Sequence, residues 1–497
     1  MVDEIQTFRI ADYAVFVITI LISVAIGVYY AFSGGRQRTI SEYLVGSRAM
    51  KFLPVAISLL VSNESSVMML GLPAEAYVYG IQWIFSAVGT CVCQLLSVFI
   101  IVPLMHPLKI TSIYEYLQYR FNSTAVRLLG TVLGMLNNVW YMGIVLFGPA
   151  IALEPVTGFS KLGCMISMAA IAVVYTSIGG FKAVVWTDVF QSIVMYLGML
   201  AILIKGTVSV GSPAKVWEVA DKGGRMNFFN FDFDPTVRHT FWTLFFATIL
   251  RATGTVFSQA TVQRISSTKT QREAKWVLII MAPCYLVSLS LACYEGIIAY
   301  AYYETKGCDP LASNKLSDPN QMIPLMVMDL FRSLPGMPGL FLASLFSASL
   351  STLSTHLNSL SAVLLTDIIK PRFRNMTELQ GTIILKVSVI IFGIIGVGNA
   401  LLVSMVGGPL TQVTTSLMSA FGGPLTGLFL LGCFFPCANK KGALGGVVLS
   451  LILSAWMSLG QSFSTTLKKT PWLPPASTAM CTANVTSGML EKTASTS

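Results

Sequence analysis

Long apolar segments recur along almost the whole chain, and each is long enough to cross the hydrocarbon core of a bilayer, which takes about 20 helical residues. Because lipid offers no hydrogen-bond partners, spanning segments of this kind must form helices. Hydrophobic residues make up 54% of the sequence and charged residues 11%, more apolar surface than one soluble core encloses. The sequence therefore predicts an all-α polytopic membrane protein. Its twelve predicted spans cover residues 11–33, 52–78, 81–106, 126–153, 160–178, 183–207, 240–262, 275–303, 336–367, 381–405, 410–435 and 442–462.

Basic residues concentrate in every second loop between these spans. Loops rich in Lys and Arg stay on the cytoplasmic side, so we expect the N-terminus and the C-terminal tail to be extracellular and the protein to be a multi-pass component of the plasma membrane. The net charge of +10 is explained by the same loops, and no nucleic-acid partner is predicted. The partners expected are membrane lipid and small solutes. The basic positions are Arg36, Arg38, Arg48, Lys51, Lys109, Arg120, Arg127, Lys182, Arg264, Lys269, Arg272, Lys275, Lys370, Arg372, Arg374, Lys440 and Lys441.

This topology places two longer segments outside the cell: a loop at 208–239 and a Ser/Thr/Pro-rich tail at 463–497. Asn484, in Asn-Val-Thr, is then an accessible glycosylation acceptor. Cys308 and Cys481 also lie outside, where an oxidising compartment permits a disulfide if the two residues are close enough.

A stripe of hydroxyl groups marks the ninth predicted span, in the stretch SASLSTLSTHLNS. On a helix, Ala348, Ser351, Thr352, Thr355 and Ser359 share one face. Hydroxyls combined with freed backbone carbonyls suit a hard monovalent cation. The alternative is that each hydroxyl bonds to the carbonyl one turn earlier or packs closely against another helix.

The second predicted span carries a polar interruption, Ser62-Asn-Glu-Ser-Ser, halfway along its length, followed by Gly71 and Pro73. Irregular backbone at membrane depth is tolerated where it lines a protein-enclosed cavity. Discontinuous helices mark substrate and ion sites in secondary transporters. A Ser-rich kink packed against its neighbours is the alternative.

Three of the charges inside the predicted spans are candidates for the site: Glu64, Asp188 and Arg251. Such charges are costly and usually functional. Glu64 and Arg251 either pair with each other as a structural lock, or Arg251 holds a substrate carboxylate while Glu64 tunes the site. Asp188, near a cytoplasmic end, is either functional or a solvated carboxylate at a helix start. His356, beside the hydroxyl stripe, either titrates or packs as a satisfied side chain.

Four segments in order along the chain resemble the sodium/solute symporter family, and specifically its branch of sodium-coupled monocarboxylate, multivitamin and iodide transporters. The segments are LGLPAEAYVYG, YTSIGGFKAVVWTDVFQ, QATVQRISSTKTQREAKW and LSTLSTHLNSLSAVLLTDIIKP.

The resemblance implies a LeuT-like fold in which two inverted five-span repeats, at 52–207 and 240–435, alternate access to a central site. Residues 1–51 would hold the extracellular N-terminus, the first span and a cytoplasmic link, and 436–462 the twelfth span. The family usually has a thirteenth span, so a truncated or variant product is expected. The implied activity is sodium-coupled import of a small organic anion, a monocarboxylate or a vitamin-like carboxylate.

The resemblance also implies the site residues. Sodium, the one metal ion expected, would be bound by the carbonyls of Val61, Glu64 and Ala348 and by the hydroxyls of Ser351 and Thr352. Asp188, with Thr355, would serve a second sodium site or coupling. Solute would lie near the set Ser65, Met68, Phe147, Ser258 and Gln259, with Arg251 as a partner for a carboxylate.

Two departures from the family pattern leave the solute open. Relatives of this branch usually carry an apolar pair where this chain has Asn63 and Glu64, and Met68 replaces a polar amide of the iodide carrier. Iodide is therefore disfavoured, and a zwitterion or a cation such as choline stays an alternative to an organic anion. No phosphate-binding loop or metalloprotease motif is present, so no enzyme is predicted. A transport-inactive sensor that binds sodium and solute is the other alternative.

Overall fold

The computed structural model describes residues 8–33, 39–234, 237–406, 410–463 and 470–481. Within these ranges the protein is helical, without a β-strand, and has one isolated bridge between Met50 and Thr268. Nine of the described helices are long and apolar enough to cross a membrane, and one bent pair makes a tenth. The predicted all-α, multi-pass membrane architecture is confirmed.

The spans follow the predicted order, with bounds that differ by a few residues at most ends. In the first half of the structure, span 1 is Ile10–Phe32, span 2 is Phe52–Asn63 with Val67–Tyr79, span 3 is Ile84–Met105, span 4 is Thr124–Thr157, and spans 5 and 6 lie in Lys161–Val210. Span 7 consists of three helical pieces, Trp242–Phe246, Ala247–Val256 and Gln259–Ser267. Span 8 is Gln271–Lys306, span 9 is Met337–Arg372, span 10 is Glu378–Val406, span 11 is Leu410–Phe434 and span 12 is Lys440–Phe463.

Spans 5 and 6 follow each other without a connecting loop in the 50 residues Lys161–Val210. A straight helix of that length would measure about 75 Å, more than twice the ~30 Å hydrocarbon core. Gly180 breaks the run with φ 59° and ψ −158°, a conformation that L side chains rarely adopt. The break divides the run close to where the sequence predicts two separate spans.

Span 2 is broken where the polar interruption predicts. Its halves, Phe52–Asn63 and Val67–Tyr79, meet at an angle of 54°. Glu64 has φ −103° and ψ 89°, outside the helical region. The backbone around Glu64 and Ser65 is therefore not tied into regular helix.

Span 7 is broken as well, and its treatment as continuous over 240–262 is wrong. The outer helix ends at Val256, and Ser258 adopts extended φ and ψ of −78° and 151°. The Ser258 hydroxyl accepts the backbone N–H of Thr261 at 3.2 Å and so starts a new helix at Gln259. Spans 2 and 7 open the two predicted repeats, and both are discontinuous.

Span 9 is the most enclosed span of those described. Its most apolar window is 89% buried, against 17% for span 1 and 11% for span 12. Spans 1 and 12 therefore present their side chains to lipid, while span 9 forms part of the centre.

The described part of the tail lies against the ends of spans 2 and 8. The N–H of Leu473 donates to the carbonyl of Val78 at 3.0 Å, and Cys308 and Cys481 form a disulfide with an S–S distance of 2.11 Å. Asn484, the predicted glycosylation acceptor, lies outside the described residues, as do Arg36 and Arg38.

Candidate functional site

The break in span 2 lies directly against the hydroxyl stripe of span 9. The Thr352 hydroxyl donates to the carbonyl of Ser62 at 3.2 Å and to that of Ala348 at 3.0 Å. Val61, Glu64, Ala348, Ser351 and Thr352 all have 0% exposure. The fold thus places the residues of the predicted sodium site in one buried region between two spans.

The hydroxyls of the stripe are not all used in the same way. The Ser354 hydroxyl bonds back to the carbonyl of Ser351 at 3.0 Å, as the structural alternative predicts. The Ser351 hydroxyl is buried and does not bond back to its own helix; the polar group beside it is the Asp188 carboxylate. Its oxygen therefore faces the buried polar region between spans 6 and 9.

Asp188 is buried and ion-paired, which makes its interpretation as a solvated helix-start carboxylate wrong. Its Oδ2 accepts from Arg264 Nη2 at 3.0 Å and from the Ser58 hydroxyl at 2.5 Å. Arg264 is 2% exposed, so the assignment of Arg264 to a cytoplasmic loop is also wrong. The low dielectric makes both charges costly alone, and each neutralises the other.

Arg264 also connects Asp188 to the broken span 2 and to the hydroxyl stripe of span 9. Its Nη2 donates to the hydroxyls of Thr355 at 2.6 Å and Ser62 at 2.8 Å. The Ser62 and Thr355 hydroxyls share a further hydrogen bond of 2.8 Å. One guanidinium therefore joins span 7, span 6, span 9 and the break in span 2.

Buried polar atoms that make few contacts border this network: Asp188 Oδ1, the Ser351 hydroxyl and the side-chain amide of Gln191. The Ser351 hydroxyl interacts with Asp188, and Gln191 interacts with the Tyr175 hydroxyl. The sequence analysis missed Gln191 and Arg264. The spacing of three residues between Asp188 and Gln191 is a helix-face signal that would have identified Gln191.

Glu64 and Arg251 do not form the ion pair of the structural alternative. Glu64 accepts hydrogen bonds from the Tyr196 hydroxyl at 3.0 and 3.2 Å, and that hydroxyl contacts the Ser288 hydroxyl at 2.5 Å. Arg251 Nη2 donates to the Ser86 hydroxyl at 3.2 Å. Each charge has neutral hydrogen-bond partners, and the ion pairs of the described residues do not include either.

Three of the predicted solute residues lie near the break in span 2. The Ser65 hydroxyl is 3.0 Å from the Tyr141 hydroxyl. Met68 and Phe147, 5% and 8% exposed, belong to the same buried hydrophobic cluster.

His356 belongs to the same surroundings. Its ring packs edge-on against Tyr141 with centroids 5.1 Å apart, and its Nδ1 lies 2.5 Å from Asn138 Oδ1. His356 thus has a hydrogen-bond partner and also borders the residues near Ser65. Tyr141 was not identified from the sequence, because an aromatic residue in an apolar span carries no distinguishing signal.

Ser258 and Gln259 make polar contacts that lead away from Ser65. Ser258 caps the inner helix of span 7. The Gln259 amide accepts from the N–H of Ile113 at 2.9 Å and donates to the carbonyl of Thr111 at 2.7 Å. Both side chains position the inner half of span 7 in this conformation.

The sequence and the fold of this chain are both similar to those of known sodium-coupled transporters. A model of the sodium:solute symporter family matches residues 43–450. The sodium-dependent multivitamin transporter of Oryctolagus cuniculus is 41% identical to this chain, and the alignment covers 92% of this chain and 71% of the transporter. The sodium-coupled monocarboxylate transporter 1 of Xenopus laevis is 40% identical, and the alignment covers 92% of this chain and 73% of that transporter. The solved structure of a Na+-coupled sialic acid symporter, in a substrate-bound outward-open state, aligns with a TM-score of 0.81 at 24% identity over 92% of this chain and 96% of that one. The predicted fold and the family resemblance are confirmed.

Proposed function

The chain belongs to the sodium:solute symporter family, and we propose that it imports a small organic carboxylate together with sodium across the plasma membrane by alternating access. Members of this family are sodium-coupled transporters and not enzymes. The names of the similar multivitamin and monocarboxylate transporters support a carboxylate as the solute.

The contact between the broken span 2 and the stripe of span 9 carries the proposal. Sodium would be bound there by the carbonyls of Val61, Glu64 and Ala348 and the hydroxyls of Ser351 and Thr352. The Thr352–Ser62 hydrogen bond and the position of the buried Ser351 hydroxyl beside Asp188 support this assignment. An ion shared by two spans stabilises the conformation in which they are close, so ion binding and solute binding become reciprocally coupled.

Asp188 and Thr355 are proposed to couple this site to the cytoplasmic half of span 7. Arg264 contacts both side chains, and its positive charge balances the negative charge of Asp188. A second sodium ion at Asp188 would require Arg264 to withdraw, because two cations cannot share one carboxylate in low dielectric without strong repulsion. Withdrawal of Arg264 would loosen span 7 from span 2 and span 9.

Arg251 is proposed to hold the solute carboxylate, near Ser65, Met68 and Phe147, with Ser258 and Gln259 lining the path on the cytoplasmic side. The membrane potential supplies driving force. Each net positive charge that enters gains about 2.3 kcal/mol per 100 mV. Two sodium ions moving with one monoanion would carry one such charge.

The expected topology has an extracellular N-terminus and a glycosylated Asn484. The disulfide between Cys308 and Cys481 supports an extracellular location for the tail, because disulfides persist in oxidising compartments.

Uptake into cells tests the proposal. Cells expressing the chain would receive labelled lactate, nicotinate, biotin, pantothenate or choline, with sodium or with an inert organic cation in its place. The proposal predicts saturable uptake of a carboxylate that requires sodium. Sodium-dependent uptake of choline alone would contradict the carboxylate assignment. If the protein reaches the cell surface and is stabilised by one of these compounds but transports none of them, the result would favour the alternative of a transport-inactive sensor.

A further inference from the structure

The loop before span 7 exposes three phenylalanines at alternate positions. Phe229, Phe231 and Phe233 are 61%, 53% and 79% exposed, and we call residues 229–233 the aromatic segment. A loop surrounded by water gains nothing from large apolar side chains on its surface. Contiguous exposed apolar patches mark sites that bind a protein or a membrane, so the aromatic segment is a candidate for one of these two roles.

The exposed rings form one continuous patch with the start of span 7. Phe229 stacks on Phe231 with ring centroids 5.7 Å apart, and Phe231 contacts Trp242 edge-on at 6.3 Å. Trp242 also stacks on Phe233 at 4.7 Å and on Phe246 at 5.9 Å. Phe246 is itself 50% exposed, so the patch runs from the loop onto the outer helix of span 7.

Hydrogen bonds fix the aromatic segment against the chain that enters span 7. The N–H of Phe241 donates to the carbonyl of Asn230 at 2.8 Å, and the Asn230 side-chain amide donates to the carbonyl of His239 at 3.2 Å. Trp242 Nε1 donates to the carbonyl of Phe231 at 3.2 Å. The fold therefore presents the exposed rings at a defined height on the helix bundle.

This height is the level at which two spans enter the membrane. Phe229 contacts Phe85, the second residue of span 3, with ring centroids 5.3 Å apart, and Trp242 is the first residue of span 7. Further along span 7, Phe246 and Leu250 are 50% and 63% exposed and lie one helical turn apart. The patch therefore continues into an apolar helix face at membrane depth, which lipid covers.

The charges of the aromatic segment favour an electrically neutral lipid surface. Asp232 and the adjacent Asp234 are exposed, and residues 229–233 contain no basic side chain. The flanking basic residues are used elsewhere, since Arg225 is buried and Arg238 pairs with Glu75 at 2.7 Å. Anionic headgroups attract basic segments, and two carboxylates would repel them. Aromatic faces attract the quaternary ammonium group of choline headgroups.

We propose that the aromatic segment inserts into the interface of the adjoining bilayer leaflet, binds lipids of the phosphatidylcholine type, and anchors the outer half of the discontinuous span 7 to the membrane surface. The rings would enter to about 5–10 Å, the depth of interfacial segments in general. This surface lies outside the proposed ion and solute site, so the inference stands independently of the proposed function.

The test uses the full chain reconstituted in phosphatidylcholine liposomes. Phe229→Trp adds a fluorophore to the patch and keeps an aromatic ring there, and Phe231→Trp is a second probe of the same patch. Ser317→Trp is the control, because Ser317 is exposed in the segment that joins spans 8 and 9 at the same end of the bundle. The added emission is the difference between each variant and the parent chain.

Three quenchers report the position of the added ring: lipid brominated near the carbonyl end of its acyl chains, lipid brominated near the methyl end, and iodide in the water on both sides of the membrane. For Phe229→Trp and Phe231→Trp we expect the first lipid to remove most of the added emission, the second to remove less, and iodide to have little effect. Iodide alone should quench the added emission of Ser317→Trp. Replacement of part of the phosphatidylcholine by an anionic lipid should not increase quenching by the first lipid.

Other outcomes would overturn the inference. Quenching of both patch probes by iodide and not by brominated lipid would show that the aromatic segment lies in water. Protection from all three quenchers would show that protein covers the patch, and a dimeric mass by light scattering would then identify a second copy of this chain as the partner. Quenching by brominated lipid that appears only with anionic lipid present would contradict the neutral lipid surface.

Discussion

Ser351 and Thr352 are adjacent in sequence, yet their hydroxyls have different environments. Thr352 donates to two carbonyls, one on span 2 and one on its own helix. Ser351 is equally buried, but its hydroxyl lies beside the Asp188 carboxylate and does not bond back to its own helix. The two hydroxyls therefore reach the break in span 2 and the carboxylate of span 6, respectively.

Removal of both hydroxyls should abolish sodium activation. We expect Ser351→Ala with Thr352→Ala to reach the cell surface but to show uptake that no longer depends on sodium, because two oxygens of the proposed ion site are gone. The measurement is uptake rate against sodium concentration. Ser349→Ala is the control, since Ser349 is also a buried serine on span 9 and its hydroxyl has no hydrogen-bond partner in the described structure. Full sodium activation in the double variant would remove the site assignment.

Asp188 and Arg264 should behave as a coupled pair. Arg264→Gln alone leaves Asp188 buried without its counter-charge, and breaking a buried pair costs about 3–5 kcal/mol. The double variant Asp188→Asn/Arg264→Gln removes both charges and should be less destabilised than Arg264→Gln alone. The measurement is the thermal unfolding midpoint in detergent. The comparison also needs the single variant Asp188→Asn. A loss in the double variant equal to the sum of the losses in Asp188→Asn and Arg264→Gln would show that the two charges do not interact.

Charges such as these show the limit of sequence reasoning at single residues. The cost of a membrane-embedded charge singled out Glu64, Asp188 and Arg251. Arg264 escaped notice because it precedes a basic loop, where positive charge is expected. Its partner Asp188 is 76 residues away in sequence, so spacing along the chain could not reveal the contact.

At the level of elements, the breaks in spans 2 and 7 differ in how clearly the sequence predicts them. The break in span 2 contains a charge and three serines inside an apolar run, and the sequence predicted it. The break in span 7 at Phe257 and Ser258 is made by a side-chain cap. A single serine in a span usually bonds to its own helix, so nothing local distinguished this one. Span bounds were predicted well because apolar length is fixed by the bilayer.

Close packing at the break in span 2 gives a prediction about Gly148 on span 4. A Cβ at this position would lie 2.5 Å from the Ser66 hydroxyl oxygen and 2.9 Å from Ser66 Cβ. Overpacking of this kind costs about 1–3 kcal/mol. We therefore expect Gly148→Ala to reduce transport by displacing the break.

The control for this variant is Gly398→Ala, because a Cβ at Gly398 on span 10 meets nothing within 4 Å. The measurement is the maximal uptake rate, corrected for the amount of protein at the surface. Equal rates in Gly148→Ala and in the control would show that the break tolerates displacement.

At the scale of the whole molecule, the described part of the tail ties together distant parts of one end of the helix bundle. Arg225 Nη2 donates to the carbonyl of Pro474 at 2.7 Å, and the N–H of Ala476 donates to Asp309 Oδ2 at 2.8 Å. The Tyr77 hydroxyl, on the outer half of span 2, donates to the same Asp309 oxygen at 2.9 Å. The tail therefore restrains the outer half of a discontinuous span.

The disulfide should stabilise this arrangement. Cys308 and Cys481 are 173 residues apart, and crosslinks that close long loops typically add about 2–4 kcal/mol to the free energy of unfolding. Cys481→Ser should lower the thermal midpoint, and reductant should lower it only in chains that keep the disulfide, which are the parent and the control. Cys437→Ser is the control, because Cys437 is exposed and unpaired. A midpoint unaffected by reductant would contradict a structural role.

Sodium-driven accumulation by the purified chain in liposomes tests the central claim most directly. With a transported solute identified in cells, an inward sodium gradient should drive its internal concentration above the external one. Collapse of the gradient with a sodium ionophore should return the two concentrations to equality. Accumulation that persists after collapse, or simple equilibration with the gradient in place, would contradict sodium-coupled symport.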